Sequence, residues 1–193
     1  MKKLVVVKIG GYYIYDRELA KNIITVANKF KVLPIFVCGG GVFANAVREA
    51  YLAHGFSSKV AHYAAIKAME ISALIFSENI MNSVLVDSLD EILAWSIRGK
   101  YPVVLPYNIV FRVNVLPESW EVTGDSIATL IAVLLGVRKI VFVKKIPGLE
   151  KCFENVCRFV DKHACELISK YKLRAIVVNG DDLSSITSGF INV

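Results

Sequence analysis

The chain alternates short, continuously apolar runs with longer segments in which apolar residues recur at helical spacing. Four runs rich in β-branched residues predict buried parallel strands. They cover Leu4–Ile9, Leu33–Cys38, Lys139–Val143 and Arg174–Val178. Strands that alternate with amphipathic helices are typical of α/β proteins, whose helices pack on a mainly parallel central sheet. The pattern therefore predicts the α/β class.

Capping residues indicate where the helices begin and end. Asp16 is a typical N-cap, and Ser88 with Glu91 three residues later forms a capping box. Gly55 is typical of the residue that follows a helix. On these signals helices are predicted over Arg17–Phe30, Val42–His54, Ser57 or Ser58 to about Phe76, Ser88–Ile97, Asp125–Leu135 and Asp161–Tyr171.

Several shorter runs predict further strands. Val84–Val86 is a short apolar run, and Tyr101–Pro106 and Ile109–Val115 are apolar runs bounded by prolines. Gly189–Val193 is a candidate for a last strand. No repeat, low-complexity tract or linker interrupts the 193 residues, a length that fits one core. We therefore expect a single domain over 1–193.

The hydrophobic content, 55%, is high for a soluble protein. The longest apolar stretch, Ile127–Val137, falls short of the roughly 20 residues that a spanning helix needs. The apolar run after Met1 is too short for a secretory signal. We therefore expect a cytoplasmic protein with no membrane partner. Excess apolar surface in such proteins is usually buried between subunits, which favours a homo-oligomer.

The formal net charge is +6, which favours an anionic partner. The chain has no Lys/Arg run of the length expected for nucleic-acid binding, so nucleic acid is not expected as the partner.

The four cysteines do not have the spacing of a metal site or a disulfide framework. Cys38 lies in an apolar run and is expected to be buried. Cys152, Cys157 and Cys165 are spaced by five and eight residues, which matches no zinc pattern. No metal site is predicted. A disulfide between Cys152 and Cys157 is a weaker alternative.

Two glycine clusters follow predicted buried strands. They are Gly10-Gly11 and Gly39-Gly40-Gly41. Ligands of open parallel sheets bind beyond the carboxyl ends of the strands, where glycines let backbone amides approach a phosphate. Tight turns are the alternative explanation. Motifs of P-loop enzymes, Rossmann dinucleotide sites and protein kinases are missing from the sequence.

Four ordered segments resemble the amino acid kinase superfamily. They are Val7–Gly11, the Gly39–Gly41 loop with its strand, Val122–Ala128 (V-T-G-D-S-I-A) and Lys144–Gly148. The resemblance spans nearly the whole chain. It implies a three-layer αβα sandwich around a mainly parallel sheet and transfer of the γ-phosphoryl group of ATP to a small molecule. It also implies Mg²⁺, bound chiefly through the nucleotide phosphates.

The same resemblance implies roles for individual residues. Lys8 would hold the transferring phosphoryl group, Asp125 would orient the lysines, and Lys144 or Lys145 would be the second phosphate lysine. Gly10 and Gly11 would donate backbone amides to the phosphates. The nucleotide-binding residues would be Lys8, Gly10, Gly11, Lys144, Lys145, Gly148 and Gly180, and the acceptor would lie against Gly39, Gly40 and Gly41.

Two departures from the family pattern concern the nucleotide side. Pro147 stands where relatives carry the Asp of a V-D-G loop, and a late G-G-M-x-x-K segment is missing. One of Lys144 and Lys145 must then hold the γ-phosphate. A non-catalytic nucleotide-binding protein of the same fold is the alternative.

The acceptor is indicated by segments around His62 and Trp120. The pattern A-H-x-x-A-I-x-A-M-E from Ala61 resembles an archaeal branch that phosphorylates aminomethylfuranmethyl phosphate in methanofuran biosynthesis. In related isopentenyl phosphate kinases a His in this region touches the acceptor phosphate, which suggests the same for His62. Arg48, about two turns into its helix, is placed to bind that phosphate bidentately. The expected reaction converts a phosphomonoester and ATP into a diphosphate and ADP; uridylate and isopentenyl phosphate kinases are the alternatives.

Overall fold

A six-stranded parallel sheet forms the centre of the protein in a computed structural model that describes residues 2–146 and 153–191. The strand order is β3-β4-β2-β1-β5-β6, and every pairing within this sheet is parallel. All six carboxyl ends therefore lie along one edge. The strands are β1 (Lys3–Ile9), β2 (Val32–Cys38), β3 (Ser83–Val86), β4 (Tyr101–Val104), β5 (Lys139–Lys144) and β6 (Arg174–Asn179).

Helices lie on both faces of the sheet, because strand side chains alternate between the faces. Val6 belongs to one hydrophobic core, and Val5 and Val7 belong to the other. These two cores confirm the predicted three-layer α/β architecture. The helices are α1 (Arg17–Lys29), α2 (Gly41–His54), α3 (Ser58–Ser77), α4 (Leu89–Ile97), α5 (Tyr107–Val113), α6 (Gly124–Leu134), α7 (Lys162–Lys170) and α8 (Leu183–Phe190).

The predicted helix caps are confirmed. Asp16 accepts a hydrogen bond from the amide of Leu19 at 2.8 Å, and Ser88 accepts one from the amide of Glu91. Gly55 ends α2 in the left-handed conformation with φ of 63°. The boundaries of the six predicted helices agree with the structure to within a residue or two.

The prediction of a strand over Ile109–Val115 is wrong, because most of this run forms α5. Ile109 and Val110 are buried while Phe111 is exposed, which is a helical rather than an alternating pattern. Pro106 precedes the helix, and Asn114 ends it in the left-handed conformation. Packing of two adjacent apolar residues has overridden the β propensity of the run.

The candidate strand at Gly189–Val193 is also wrong where the structure describes it. Gly189 and Phe190 belong to α8, and residues 192–193 lie outside the described part of the chain. A Cβ at Gly189 would lie 2.5 Å from the Cγ1 of Val178. The glycine therefore lets α8 pack closely on β6.

Cys157 and Cys165 form a disulfide with a Cα–Cα distance of 5.2 Å. The alternative pairing of Cys157 with Cys152 is therefore wrong, because Cys157 is bonded to Cys165; Cys152 lies outside the described residues. The chain reverses between a 3-10 turn (Val156–Arg158) and α7, which brings the two cysteines together. Cys38 is buried as predicted, and burial raises the pKa of its thiol.

Helix α3 is the one helix in the described residues that is long and apolar enough to cross a membrane. Much of it is in the protein interior instead, which is typical of a core helix. Its buried residues are Ala61, His62, Ile66, Ala68, Met69, Ser72, Ala73 and Phe76.

Candidate active site

Three charged side chains meet at the carboxyl edge of the sheet. The Nζ of Lys8 lies 2.9 Å from Oδ1 of Asp125, and the Nζ of Lys144 lies 2.5 Å from Oδ2 of the same carboxylate. Lys8 stands near the end of β1, Lys144 ends the neighbouring β5, and Asp125 lies in the first turn of α6. The structure thus brings together Lys8, Asp125 and one of the two candidates for the second phosphate lysine, Lys144.

Strand alternation explains why Lys144 reaches Asp125. In β5 the side chains of Ile140 and Phe142 belong to the core that contains α6. Lys144 lies two residues after Phe142, so its side chain is on the same face of the sheet. Phe142 is the register partner of Lys8 on β1, so both lysines lie on the α6 side of the sheet.

Asp125 is ionised, and each oxygen of its carboxylate lies next to one lysine ammonium group. Its side chain is almost fully buried, and burial acts to raise its pKa, but the ammonium groups of Lys8 and Lys144 outweigh burial and hold that pKa below its usual value. Two cations share one anion, so the centre keeps a net charge of +1. Such a centre stabilises the negative charge of a migrating phosphoryl group.

A cavity of about 290 Å³ opens beside Lys8. Its polar rim includes Lys8 and every residue predicted for the acceptor, and its apolar wall comes from α3 and α6. The lining residues are Lys8, Gly11, Tyr12, Gly39, Gly40, Gly41, Ala44, Asn45, Arg48, His62, Ala65, Ile66, Met69, Trp120, Val122, Thr123, Gly124 and Ile127.

The two glycine loops pack directly against each other. A Cβ added at Gly11 would lie 2.4 Å from the Cα of Gly41, and Gly41 has φ of +53°. The amides of Gly10 and Gly39 donate to sheet carbonyls, those of Val143 and Ile9. Phosphate donors at this edge are therefore expected from the first amides of α2, which begins at Gly41 and whose leading N–H groups have no partner inside the helix.

Arg48 and Trp120 face each other at the cavity, with the guanidinium carbon 5.3 Å from the ring centroid. The sequence predicts Arg48 as an acceptor residue, but it assigns no contact to Trp120, although Trp120 begins the segment that leads to Asp125. It also missed Tyr12, Asn45 and Met69. Cation–π contact orients the Arg48 side chain without neutralising its charge, so it keeps its donors for an anion.

His62 is buried at the wall of the cavity, and burial lowers its pKa despite a hydrogen bond to Ser119 and the nearby charge of Glu118. Its Nδ1 lies 3.3 Å from the carbonyl oxygen of Ser119. Because a carbonyl only accepts, Nδ1 carries the proton, and the neutral ring keeps an acceptor at Nε2.

The remaining predicted nucleotide residues do not line this cavity. Lys145 is exposed, with its Nζ 3.7 Å from the ring centroid of Tyr12. The amide of Gly180 donates to the carbonyl of Lys144 at 3.1 Å. Gly148, like Pro147, lies outside the described residues. Lys145 and Gly180 follow β5 and β6, on the opposite side of β1 from the acceptor loop after β2.

Separate methionine substitutions of the two lysines distinguish their roles. Lys144→Met is expected to lower kcat about a hundredfold, because it removes one of two cations at Asp125. Lys145→Met is the matched control; its side chain is exposed, and kcat should stay within about threefold of the parent. Steady-state ADP release measures both. The reverse ranking would contradict the assignment of Lys144.

Comparisons with known proteins show the family of the chain. Residues 3–170 match the sequence profile of the amino acid kinase family. The chain is 29% identical over 189 residues to the (5-(aminomethyl)furan-3-yl)methyl phosphate kinase of Methanocaldococcus jannaschii, covering 91% of this chain and 87% of that protein.

Solved structures share the fold at low sequence identity. The uridylate kinase of Archaeoglobus fulgidus superposes with a TM-score of 0.71 at 19% identity, covering 100% of this chain and 96% of that one. The UMP kinase of Ureaplasma parvum gives 0.74 at 16% identity, with 96% and 93% covered. With the family match over residues 3–170, the chain belongs to the amino acid kinase family of ATP-dependent phosphotransferases.

Proposed function

We propose that this protein transfers the γ-phosphoryl group of ATP to the phosphate of a small phosphomonoester and so forms a diphosphate. The observation that carries the proposal is the Lys8–Asp125–Lys144 centre at the edge of a cavity that also contains Arg48. Cationic groups then surround both the migrating phosphoryl group and an anionic acceptor.

In the proposed reaction, an oxygen of the acceptor phosphate attacks the γ-phosphorus of ATP while the bond to the β-phosphate oxygen breaks. Lys8 lies between the cavity and Asp125, a position that suits it to hold the phosphoryl group during its transfer. Lys144 neutralises charge on the nucleotide side, and Arg48 and the α2 amides hold the acceptor phosphate. The side chains supply position and charge rather than a covalent intermediate.

Mg²⁺ fits this scheme as a companion of the nucleotide. Within residues 2–146 and 153–191, no cluster of three His, Cys, Asp or Glu side chains is suited to hold a metal ion. The carboxylate of Asp125 is already engaged by two lysines. The nucleotide phosphates would therefore carry the ion, and it would neutralise part of their charge.

The best candidate for the acceptor is (5-(aminomethyl)furan-3-yl)methyl phosphate, the substrate in the name of the Methanocaldococcus relative. Ile66, Met69 and Trp120 give the cavity an apolar side that suits a small ring. Among the described residues that line the cavity, none is acidic. The amino group of such a substrate would then meet neutral acceptors, the Nε2 of His62 and the side-chain oxygen of Asn45.

A panel of acceptors tests the proposal. ADP release should be fast with the furanmethyl phosphate and at least about tenfold slower with UMP or isopentenyl phosphate, because a polar group without its partner costs binding energy. Faster ADP release with UMP or with isopentenyl phosphate would instead indicate a uridylate kinase or an isopentenyl phosphate kinase. ATP binding with no turnover of any phosphomonoester would instead indicate a non-catalytic nucleotide-binding protein.

We further propose that the protein is a single-domain, cytoplasmic homo-oligomer. Large apolar side chains are exposed on several elements, among them Leu52 on α2, Leu74 on α3, Met81 and Ile97. Burial of such residues between subunits would account for the high hydrophobic content.

A further inference from the structure

The loop closed by the Cys157–Cys165 disulfide lies against the catalytic centre. It contains Phe159, whose carbonyl oxygen accepts a hydrogen bond from the Nζ of Lys144, and Asp161, the N-cap of α7. One short segment therefore contacts both Lys144 and, through Asp161, the helix that carries Asp125.

The side-chain carboxylate of Asp161 accepts five hydrogen bonds, and only one of them comes from its own helix. That bond comes from the amide of Ala164 at 2.9 Å. The others come from α6 and its N-cap: the amide and hydroxyl of Thr123 at 3.3 and 2.6 Å, the amide of Ser126 at 3.1 Å, and the Ser126 hydroxyl. The carboxylate thus caps two helices at once.

Its partners Thr123 and Ser126 flank Asp125 along the chain. Thr123 is the N-cap of α6, and Ser126 lies in its first turn, where backbone amides have no acceptor inside the helix. With these amides bound to Asp161, the backbone of Asp125 is fixed from both sides. The same loop holds the ammonium of Lys144 through Phe159.

We propose that Asp161 is a positioning residue for phosphoryl transfer: it fixes the first turn of α6, and so holds Asp125 in register with Lys8 and Lys144. The disulfide stabilises this arrangement by closing the loop around Asp161. The activity part of this inference rests on the proposed kinase function, whereas the positioning part does not.

Asp161→Asn separates positioning from simple capping. Asparagine caps a helix about as well as aspartate, so α7 keeps its N-cap. While the amide oxygen accepts from Ala164, the new NH₂ group takes the place of Oδ2. An NH₂ group cannot accept a hydrogen bond, so the amides of Thr123 and Ser126 lose their acceptor. Asp16→Asn is the matched control, because Asp16 caps α1 with a single bond to Leu19.

We expect the amides of Thr123 and Ser126 to exchange hydrogen at least about tenfold faster in Asp161→Asn than in the parent. We expect kcat to fall about tenfold with the KM values for ATP and acceptor within about twofold, because misplacement of Asp125 affects the transition state more than binding. Asp16→Asn should change neither quantity. All variants are compared at a temperature where circular dichroism shows them folded.

If the amides of Thr123 and Ser126 exchange hydrogen as slowly in Asp161→Asn as in the parent, the inference is overturned, whatever the activity of the variant. If the parent turns over no acceptor, the proposed function fails, but the exchange measurement still decides the positioning role.

A double variant, Cys157→Ser with Cys165→Ser, supplies a second test. Combined with Asp161→Asn it should lower kcat no further than Asp161→Asn alone, since both act through one loop; fully additive losses would contradict the proposal.

Discussion

Replacing Lys8 by methionine is expected to lower kcat by about a hundredfold to a thousandfold while the protein remains folded. Lys8 lines the acceptor cavity and contacts Asp125, so its ammonium is placed where charge develops during transfer. Asp125 keeps Lys144, and the free energy of unfolding should therefore fall by less than the roughly 3–5 kcal/mol that loss of a whole buried ion pair costs. ADP release and thermal unfolding measure the two effects.

The matched control is Lys67→Met, which removes an exposed lysine that pairs with the partly buried Glu70 on α3, outside the cavity lining. An ion pair whose ammonium is solvated contributes little, so kcat and the melting temperature should both stay close to those of the parent. A Lys8→Met enzyme with the kcat of the parent would refute the assigned role of Lys8. Asp125→Ala should also inactivate the enzyme and destabilise it more, because two ammonium groups then lose their shared partner.

Replacing Gly11 by alanine is expected to force the two glycine loops apart. The new Cβ would lie 2.4 Å from the Cα and 2.5 Å from the nitrogen of Gly41, and backbone atoms have little freedom to move away. We expect a loss of about 1–3 kcal/mol in the free energy of unfolding, as for other overpacked sites. We also expect at least about a tenfold fall in kcat/KM for the acceptor, because misplacing groups by a fraction of an ångström is costly in catalysis.

Gly55→Ala separates the steric effect from the general cost of losing a glycine. Gly55 has φ of +63°, and no atom lies within 4 Å of the position of its Cβ. Its cost is the strain of a left-handed alanine, about 1–2 kcal/mol, without an effect on kcat/KM. Equal kcat/KM values for the two variants would show that contact between the glycine loops is unimportant for the acceptor.

Local signals predicted most of the fold correctly. Continuous β-branched runs such as Leu4–Ile9 and Leu33–Cys38 mark buried strands, and capping residues such as Asp16 act within one turn of their own helix. The two errors, at α5 and α8, occurred where packing decides the conformation. The run Ile109–Val115 has β propensity but buries adjacent residues, and the glycine of α8 serves contact with Val178.

The choice between Lys144 and Lys145 shows why the site could be predicted only in part. Adjacent strand residues point to opposite faces, so only one of these lysines faces α6, but the sequence alone does not show which. The register of β5 against β1, with Phe142 opposite Lys8, decides for Lys144. Register depends on contacts between distant segments and leaves little trace in a single sequence.

By itself the sequence determined the α/β class and the glycine loops after β1 and β2, because both depend on residue type and short spacing. The candidate roles of Lys8, Asp125 and His62 came from the resemblance to a kinase family, and that of Arg48 from its place two turns into α2. Only the tertiary structure decided that Lys144 pairs with Asp125, that Trp120 lies against Arg48, that Cys157 pairs with Cys165, and that Asp161 holds the first turn of α6. These contacts join segments far apart in the chain, and they exist only once the sheet has set the distances between its helices.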